Sequence, residues 1–291
     1  MDSSSLMNVP FVFDNVEKVV TEFYTTSQVT NEFKPQLDQW LKQAQNSHDA
    51  WLFSWQLLDL NKSLECQFYG ASTLYNKVSK HFAEVPVQDY DMLKDKLLEK
   101  LIIYATNSAT NKQIRLIQRK LNSTLAKLAL FLINNQWETC VRDIIQTIPN
   151  LDLNQAQSIV STSSSNSSSG TLNKNQLLFI VVDLLTLLPE EYNTVNLSKT
   201  RKTQINLELK KNFSLVVQFI FGIFNQQHLL SDMLLVESGI KCLTSWSEFG
   251  VPFVELEQFI DVMFMAIYQE HLFETAAEFL CSMFGSEENL K

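Results

Sequence analysis

One row of polar side chains in this sequence has the residue types and the spacing for recognition chemistry. Lys112, Arg115, Arg119 and Asn122 recur at i, i+3, i+7 and i+10, on one face of a helix. As a functional row it would meet an acidic loop of a partner protein; as a plain one it is a solvated helix face. Nothing else has the pattern of a reaction centre. His48, His81, His228 and His271 stand far apart, and none has a second His, Cys or carboxylate at ligand spacing. Glu190 and Glu191 are adjacent, so they point different ways from a helix end and read as solvated charge after Pro189. No phosphate-binding G-x-x-x-x-G-K-S/T loop or G-x-S-x-G elbow occurs. The expectation is a protein that is not an enzyme, needs no cofactor and no metal, and works by binding.

Composition narrows what it binds. The formal net charge of −9 argues against nucleic acid, whose binders present a basic face. An acidic surface favours basic partners through encounter rate and specificity. The longest apolar run, Leu177–Leu188, is interrupted by Asp183 and Thr186 and is too short to span a bilayer, so no membrane partner is expected. The N-terminus MDSSSLMNVPF lacks the charged and apolar regions of a signal peptide. Cys66, Cys140, Cys242 and Cys281 are scattered within helical patterns, which predicts reduced, buried thiols in a cytosolic or nuclear protein.

The elements that must carry these residues are helices. In 291 residues there are only 6 Gly and 6 Pro, too little turn punctuation for a β-sandwich or barrel. The organising stretch is Ala50–Phe82. Its first helix carries Trp51, Trp55 and Leu58, the turn Asp59–Asn61 follows, and its second helix carries a stripe of Leu64, Phe68, Ala71, Leu74, Val78 and Phe82. Trp55 and Phe68 are expected to face each other inside this hairpin. Neither helix can hide its stripe alone, so copies are expected on both sides. The pattern supplies them: Asn15–Thr26; a helix capped by Asn31 with Phe33, Leu37, Trp40, Leu41 and Ala44 inward; a helix through Leu93, Leu97, Leu101 and Tyr104; Asn111–Asn134; Trp137–Ile148; a helix from Leu177 closed by Pro189; one long helix Lys199–Asn225; and three more to Phe284. The last of these is apolar on more than one side, with Phe273, Ala277 and Phe284 outside its stripe. Paired helices at a period of ~40–47 residues indicate HEAT or armadillo units. The expected fold is all-α, a right-handed α-solenoid of about six HEAT-like helical hairpins. The expected organisation is a disordered N-terminus over 1–13, HEAT repeats over 14–110, and further repeats over 111–291 with a flexible Ser-rich loop at 158–171.

Three stretches carry a family resemblance. AWLFSWQLL (Ala50–Leu58) followed by QFYGASTLYNKVSKHF (Gln67–Phe82) resembles the N-terminal segment of the importin-β, or karyopherin-β, family. LLTLLPEEY (Leu184–Tyr192) is similar to a fourth-repeat second helix and its exit in that family, and CLTSWSEFGVP (Cys242–Pro252) to a fifth-repeat second helix and turn. The Ser-rich loop departs from the short connection the resemblance implies. The resemblance implies a nuclear transport receptor, found in cytoplasm and nucleus, here as its N-terminal arch. It also implies partners: the GTP-bound form of the small GTPase Ran on the concave second helices, protein cargo further along, and Phe-Gly repeats of the nuclear pore on the outer helices. The faces expected to meet Ran are Gln36, Gln39 and Gln43 on the first second-helix, Thr73, Asn76 and Lys80 on the next, and Lys112, Arg115, Arg119 and Asn122 on the third, presented as one continuous polar strip. The alternative is a HEAT-repeat scaffold with no Ran dependence.

Overall fold

The computed structural model describes residues 9–25, 33–108, 112–133, 135–147, 174–226 and 232–285. Among these residues every regular element is helical, and no strand occurs. The fold class is all-α, of HEAT-like helical hairpins. The expected Asn31 cap and the Ser-rich tract lie outside the described residues. The chain forms two compact units, which divide between Thr124 and Leu125.

In the first unit lie α1 (Phe13–Thr25), α2 (Lys34–Asn46), α3 (Ala50–Leu57), α4 (Leu64–His81), α5 (Tyr90–Ser108) and the first turns of α6 (Lys112–Leu132). Val16, Val19 and Val20 of α1 meet Leu37, Trp40, Leu41 and Ala44 of α2 in one buried cluster with Phe53 and Leu57 of α3. Val9 and Phe11, which the sequence places in a disordered start, pack against this cluster, the Phe11 ring lying 5.0 Å from that of Trp40. At the turn, the Asp59 carboxylate accepts from the Asn61 N–H at 2.9 Å, and the Ser63 hydroxyl caps α4 by accepting from the Cys66 N–H at 3.3 Å. Gly70 is required where α3 and α4 cross: a Cβ there would come within 2.8 Å of the Ser54 carbonyl oxygen.

The register within this hairpin differs from the one expected. Phe68 is 40% exposed, while Cys66, Tyr69, Thr73 and Lys77 are buried beside Ala71, Leu74 and Val78. The reason is that α4 packs against α1 and α2 as well as α3, so its covered sector is wider than one stripe. On α3, Ala50, Phe53, Ser54 and Leu57 are buried, and Trp51 and Trp55 are half-buried. A helix apolar on nearly every side offers no periodicity to choose its face, and indoles with an N–H suit half-wet positions.

The second unit contains the rest of α6 with α7 (Cys140–Thr147), α8 (Lys174–Thr194), α9 (Lys199–Lys211), α10 (Phe213–Phe224), α11 (Met233–Phe249), the short α12 (Phe253–Leu256), α13 (Ile260–Ile267) and α14 (Phe273–Gly285). Two expectations are corrected here. Pro189 does not close its helix; α8 continues to Thr194. Proline lacks the N–H that would bond the Leu185 carbonyl. The Trp246 indole of α11 takes that place, its Nε1–H donating to the Leu185 oxygen at 2.8 Å, and the Ser245 hydroxyl donates to the Thr186 oxygen at 2.9 Å. Second, Lys199–Asn225 is two helices. Asn212 adopts φ −99°, ψ 5°, and its side-chain amide donates to the Glu208 carbonyl at 2.8 Å, competing with the helical ladder. α11 ends in a Schellman turn at Gly250, φ 102°, where the Gly250 N–H bonds the Ser247 oxygen and the Val251 N–H bonds the Trp246 oxygen.

Three of the four free cysteines are buried and Cys281 is exposed, which corrects the expectation of four buried thiols. Burial pushes the Cys242 thiol up to about 12. Since thiolate is the nucleophile, brief iodoacetamide treatment of the native chain at neutral pH should label Cys281 alone. Labelling of Cys242 before unfolding, read by peptide mass mapping, would contradict the packing of α11 on α8.

Candidate partner-binding face

The residues expected to meet a partner are not presented as one strip. Gln39 and Gln43 are exposed and Gln36 half-buried on α2; Lys112 and Arg119 are exposed and Arg115 half-buried on α6. Thr73 and Asn122 are fully buried, so neither can meet a partner. The Thr73 hydroxyl donates to the Tyr69 carbonyl at 2.8 Å inside α4. Asn76 is half-buried and turned toward α2, its amide donating to Asn46 Oδ1 at 3.1 Å and to the Gln45 carbonyl at 3.4 Å; only Lys80 of that trio is exposed. The cause is the register of α4: with Tyr69, Thr73 and Lys77 covered, Phe68 is turned to the open side, with Leu64, Ser72 and Tyr75 half-buried beside it.

That rotation creates a feature the sequence reading missed. Phe68 and Leu64 of α4, Leu116 and Ile117 of α6, and Tyr24 of α1 enclose a hollow of about 190 Å³, with Glu65 and Gln113 at its edge. Phe68, Leu116 and Tyr24 are 40%, 60% and 52% exposed, so three large apolar side chains stand open together. Burial raises the Tyr24 hydroxyl pKa, with the Asp38 and Glu65 carboxylates adding to it. The basic row Lys112, Arg115 and Arg119 runs along the same α6 turns that carry Leu116. Further along the seam, Lys120 lies 3.8 Å from the Tyr75 ring centroid. An apolar seat beside a row of cations can hold a partner loop that offers one apolar side chain and nearby carboxylates. The available signal was Leu116, an apolar residue inside the polar row.

A second hollow, about 380 Å³, lies between α3 and α5 and is lined by Trp51, Leu52, Trp55, Pro86, Met92 and Leu93 among others. Its rim is built around Glu84. The Glu84 carboxylate accepts from the Trp51 Nε1–H at 2.9 Å and from Lys77 Nζ at 2.6 Å, and His81 Nδ1 and His48 Nδ1 lie 3.1 and 3.8 Å from it. The hydrogen bond from Lys77 is the main cause that holds the Glu84 carboxyl below the usual range. The tertiary structure thus brings together His48 and His81, which the sequence leaves apart. Lys96 Nζ sits 4.5 Å from the Trp55 ring centroid, and its own pKa is lowered by burial. Among the described residues no group of three or more His, Cys, Asp or Glu is placed to hold a metal ion, and no helix is long and apolar enough to cross a membrane.

Comparison with known proteins bears on what such faces serve. Residues 114–280 match the family model described as Exportin 1-like protein, and residues 38–102 match the Importin-beta N-terminal domain. Importin-13 of Bos taurus is 30% identical over 268 residues, 92% of this chain and 25% of that protein; Importin-13 of Homo sapiens is 29% identical over the same shares. Importin-13 homolog A of Dictyostelium discoideum is 25% identical over 241 residues, 81% of this chain and 20% of that protein. The chain spans about a quarter of the length of the curated importin-13 relatives it matches.

Proposed function

We propose, since this chain belongs to the exportin 1-like protein family, that it acts as the N-terminal part of a nuclear transport receptor moving between cytoplasm and nucleus. In this reading it binds Ran in its GTP state, and the whole receptor carries protein cargo through the pore. The observation that carries the Ran assignment is the open hollow at Phe68 and Leu116 beside Lys112, Arg115 and Arg119, in the unit that contains the importin-β N-terminal match. A face of this chemistry can read nucleotide state, because GTPase switch segments are ordered by the γ-phosphate and collapse without it. The apolar side chain of an ordered switch segment would enter the hollow, and its carboxylates would meet the basic row. Gln39, Gln43 and Lys80 remain exposed enough to contribute at the rim; Thr73 and Asn122 drop out. The hollow at Trp51 and Trp55 is the proposed seat for a phenylalanine ring of the pore's Phe-Gly repeats, being apolar, open and large enough for one aromatic side chain.

The test is binding of this chain to Ran loaded with GTP or GDP at moderate salt. GTP-selective binding is expected. Arg115→Glu/Arg119→Glu should weaken it by about 1–3 kcal/mol, mainly through a slower and more salt-sensitive association, because Arg119 is exposed and Arg115 half-buried on the helix that carries Leu116, outside the hollow's own lining. Phe68→Ala should weaken it by about 2 kcal/mol or more with little loss of fold stability, as expected of an anchor that is open in the free chain. Equal binding to both nucleotide forms would remove the receptor reading and leave the scaffold. GTP-selective binding that ignores both variants would keep the receptor and discard this face.

A further inference from the structure

We propose that α9 is a docking site for an acidic polypeptide segment that carries one apolar side chain among its carboxylates. The helix KTRKTQINLELKK holds five basic residues and one acidic residue in 13 positions, within a chain whose net charge is −9. Folding does not account for all of this charge. Ile205 and Leu209 provide the buried side. Arg201 serves the fold, its guanidinium donating to the carbonyls of Phe131 and Ile133, and Lys202 lies 5.9 Å from the Tyr192 ring centroid. Lys199, Lys210 and Lys211 are exposed. Lys211 pairs with Glu208 at 3.0 Å within the same helix, and among the described residues neither Lys199 nor Lys210 makes an ion pair.

The placement is electrostatically costly for an isolated helix. Lys199, Arg201 and Lys202 all stand in the first turn, where the helix dipole disfavours cations, and no acidic residue accompanies them there. Lys199, Thr203, Leu207 and Lys210 fall at i, i+4, i+8 and i+11, so they form one outward line roughly 16 Å long from the helical rise. Leu207, in that line, is 56% exposed. Cations at both ends of a line with an open leucine between them complement a segment whose carboxylates flank one apolar residue. Nucleic acid fits less well, because it offers Leu207 no apolar partner and is repelled by the acidic balance of the chain. None of these residues belongs to the face proposed for Ran, so the two proposals stand or fall separately.

The experiment is fluorescence anisotropy of a labelled peptide, a single leucine flanked on both sides by aspartates and glutamates, titrated with the whole chain at low and physiological salt. Saturable binding that weakens with salt is expected. Lys199→Glu/Lys210→Glu should weaken it roughly tenfold, and Lys199→Gln/Lys210→Gln by less in the same direction. Leu207→Ala should weaken it about threefold, and should cost nothing further against a peptide whose leucine is replaced by serine, the non-additivity that marks a direct contact. Absence of binding, binding indifferent to the lysine variants, or tighter binding of a single-stranded oligonucleotide than of the peptide would each overturn the proposal.

Discussion

Trp246→Ala is expected to lower unfolding stability by about 3–5 kcal/mol, the range for large aromatic truncations in packed cores. Trp246 is fully buried, with the rings of Phe213 and Phe249 edge-on at 5.6 and 6.0 Å. It also satisfies the Leu185 carbonyl that Pro189 leaves without a helical partner. The two contributions separate by substitution. Trp246→Phe keeps most of the volume and loses the donor, which should cost about 1–3 kcal/mol for a carbonyl left buried and unmatched. Pro189→Ala supplies a backbone N–H to the same carbonyl, so it should recover part of that loss in the Trp246→Phe background and much less in the parent chain. The measurement is a urea-unfolding cycle over the four chains. Purely additive effects would mean that the indole N–H and the proline do not share the carbonyl.

Glu191→Ala is expected to cost about 3–5 kcal/mol, because it strands a buried ammonium. Lys127 and Glu191 are both buried and pair at 2.7 Å, and Lys127 Nζ also donates to Thr194 Oγ1 at 2.7 Å. Removing both charges is a different experiment. Lys127→Met/Glu191→Leu replaces the pair with apolar volume and should lie close to the parent chain, since a buried ion pair repays little more than its own desolvation. Urea midpoints at equal slopes decide between the cases. A Glu191→Ala chain as stable as the double variant would show that Lys127 is hydrated or repartnered once its carboxylate is gone.

How much was legible from the residues divides along the same physical line. The helical class, the inward stripes Val16–Val19–Val20, Leu37–Trp40–Leu41–Ala44 and Leu93–Leu97–Leu101–Tyr104, and the turn Asp59–Asn61 all rest on local periodicity and local hydrogen bonding, and the structure carries each of them. The exposure of Lys112, Arg119, Gln39 and Gln43 was likewise legible, since they sit on polar faces of helices with one clear apolar side. Tertiary structure decided the cases where a helix has more than one covered side. The register of α4 depended on how many helices pack on it, which turned Thr73 inward and Phe68 outward. Pro189 and the Glu190–Glu191 pair have the local pattern of a helix end followed by solvated charge. Trp246, 57 residues further on, supplies the missing donor, and Lys127, 64 residues back, makes Glu191 a buried partner. A periodicity reports which side of a helix is apolar; how wide a sector its neighbours cover, and which distant donor meets an orphaned carbonyl, are properties only of the packed chain.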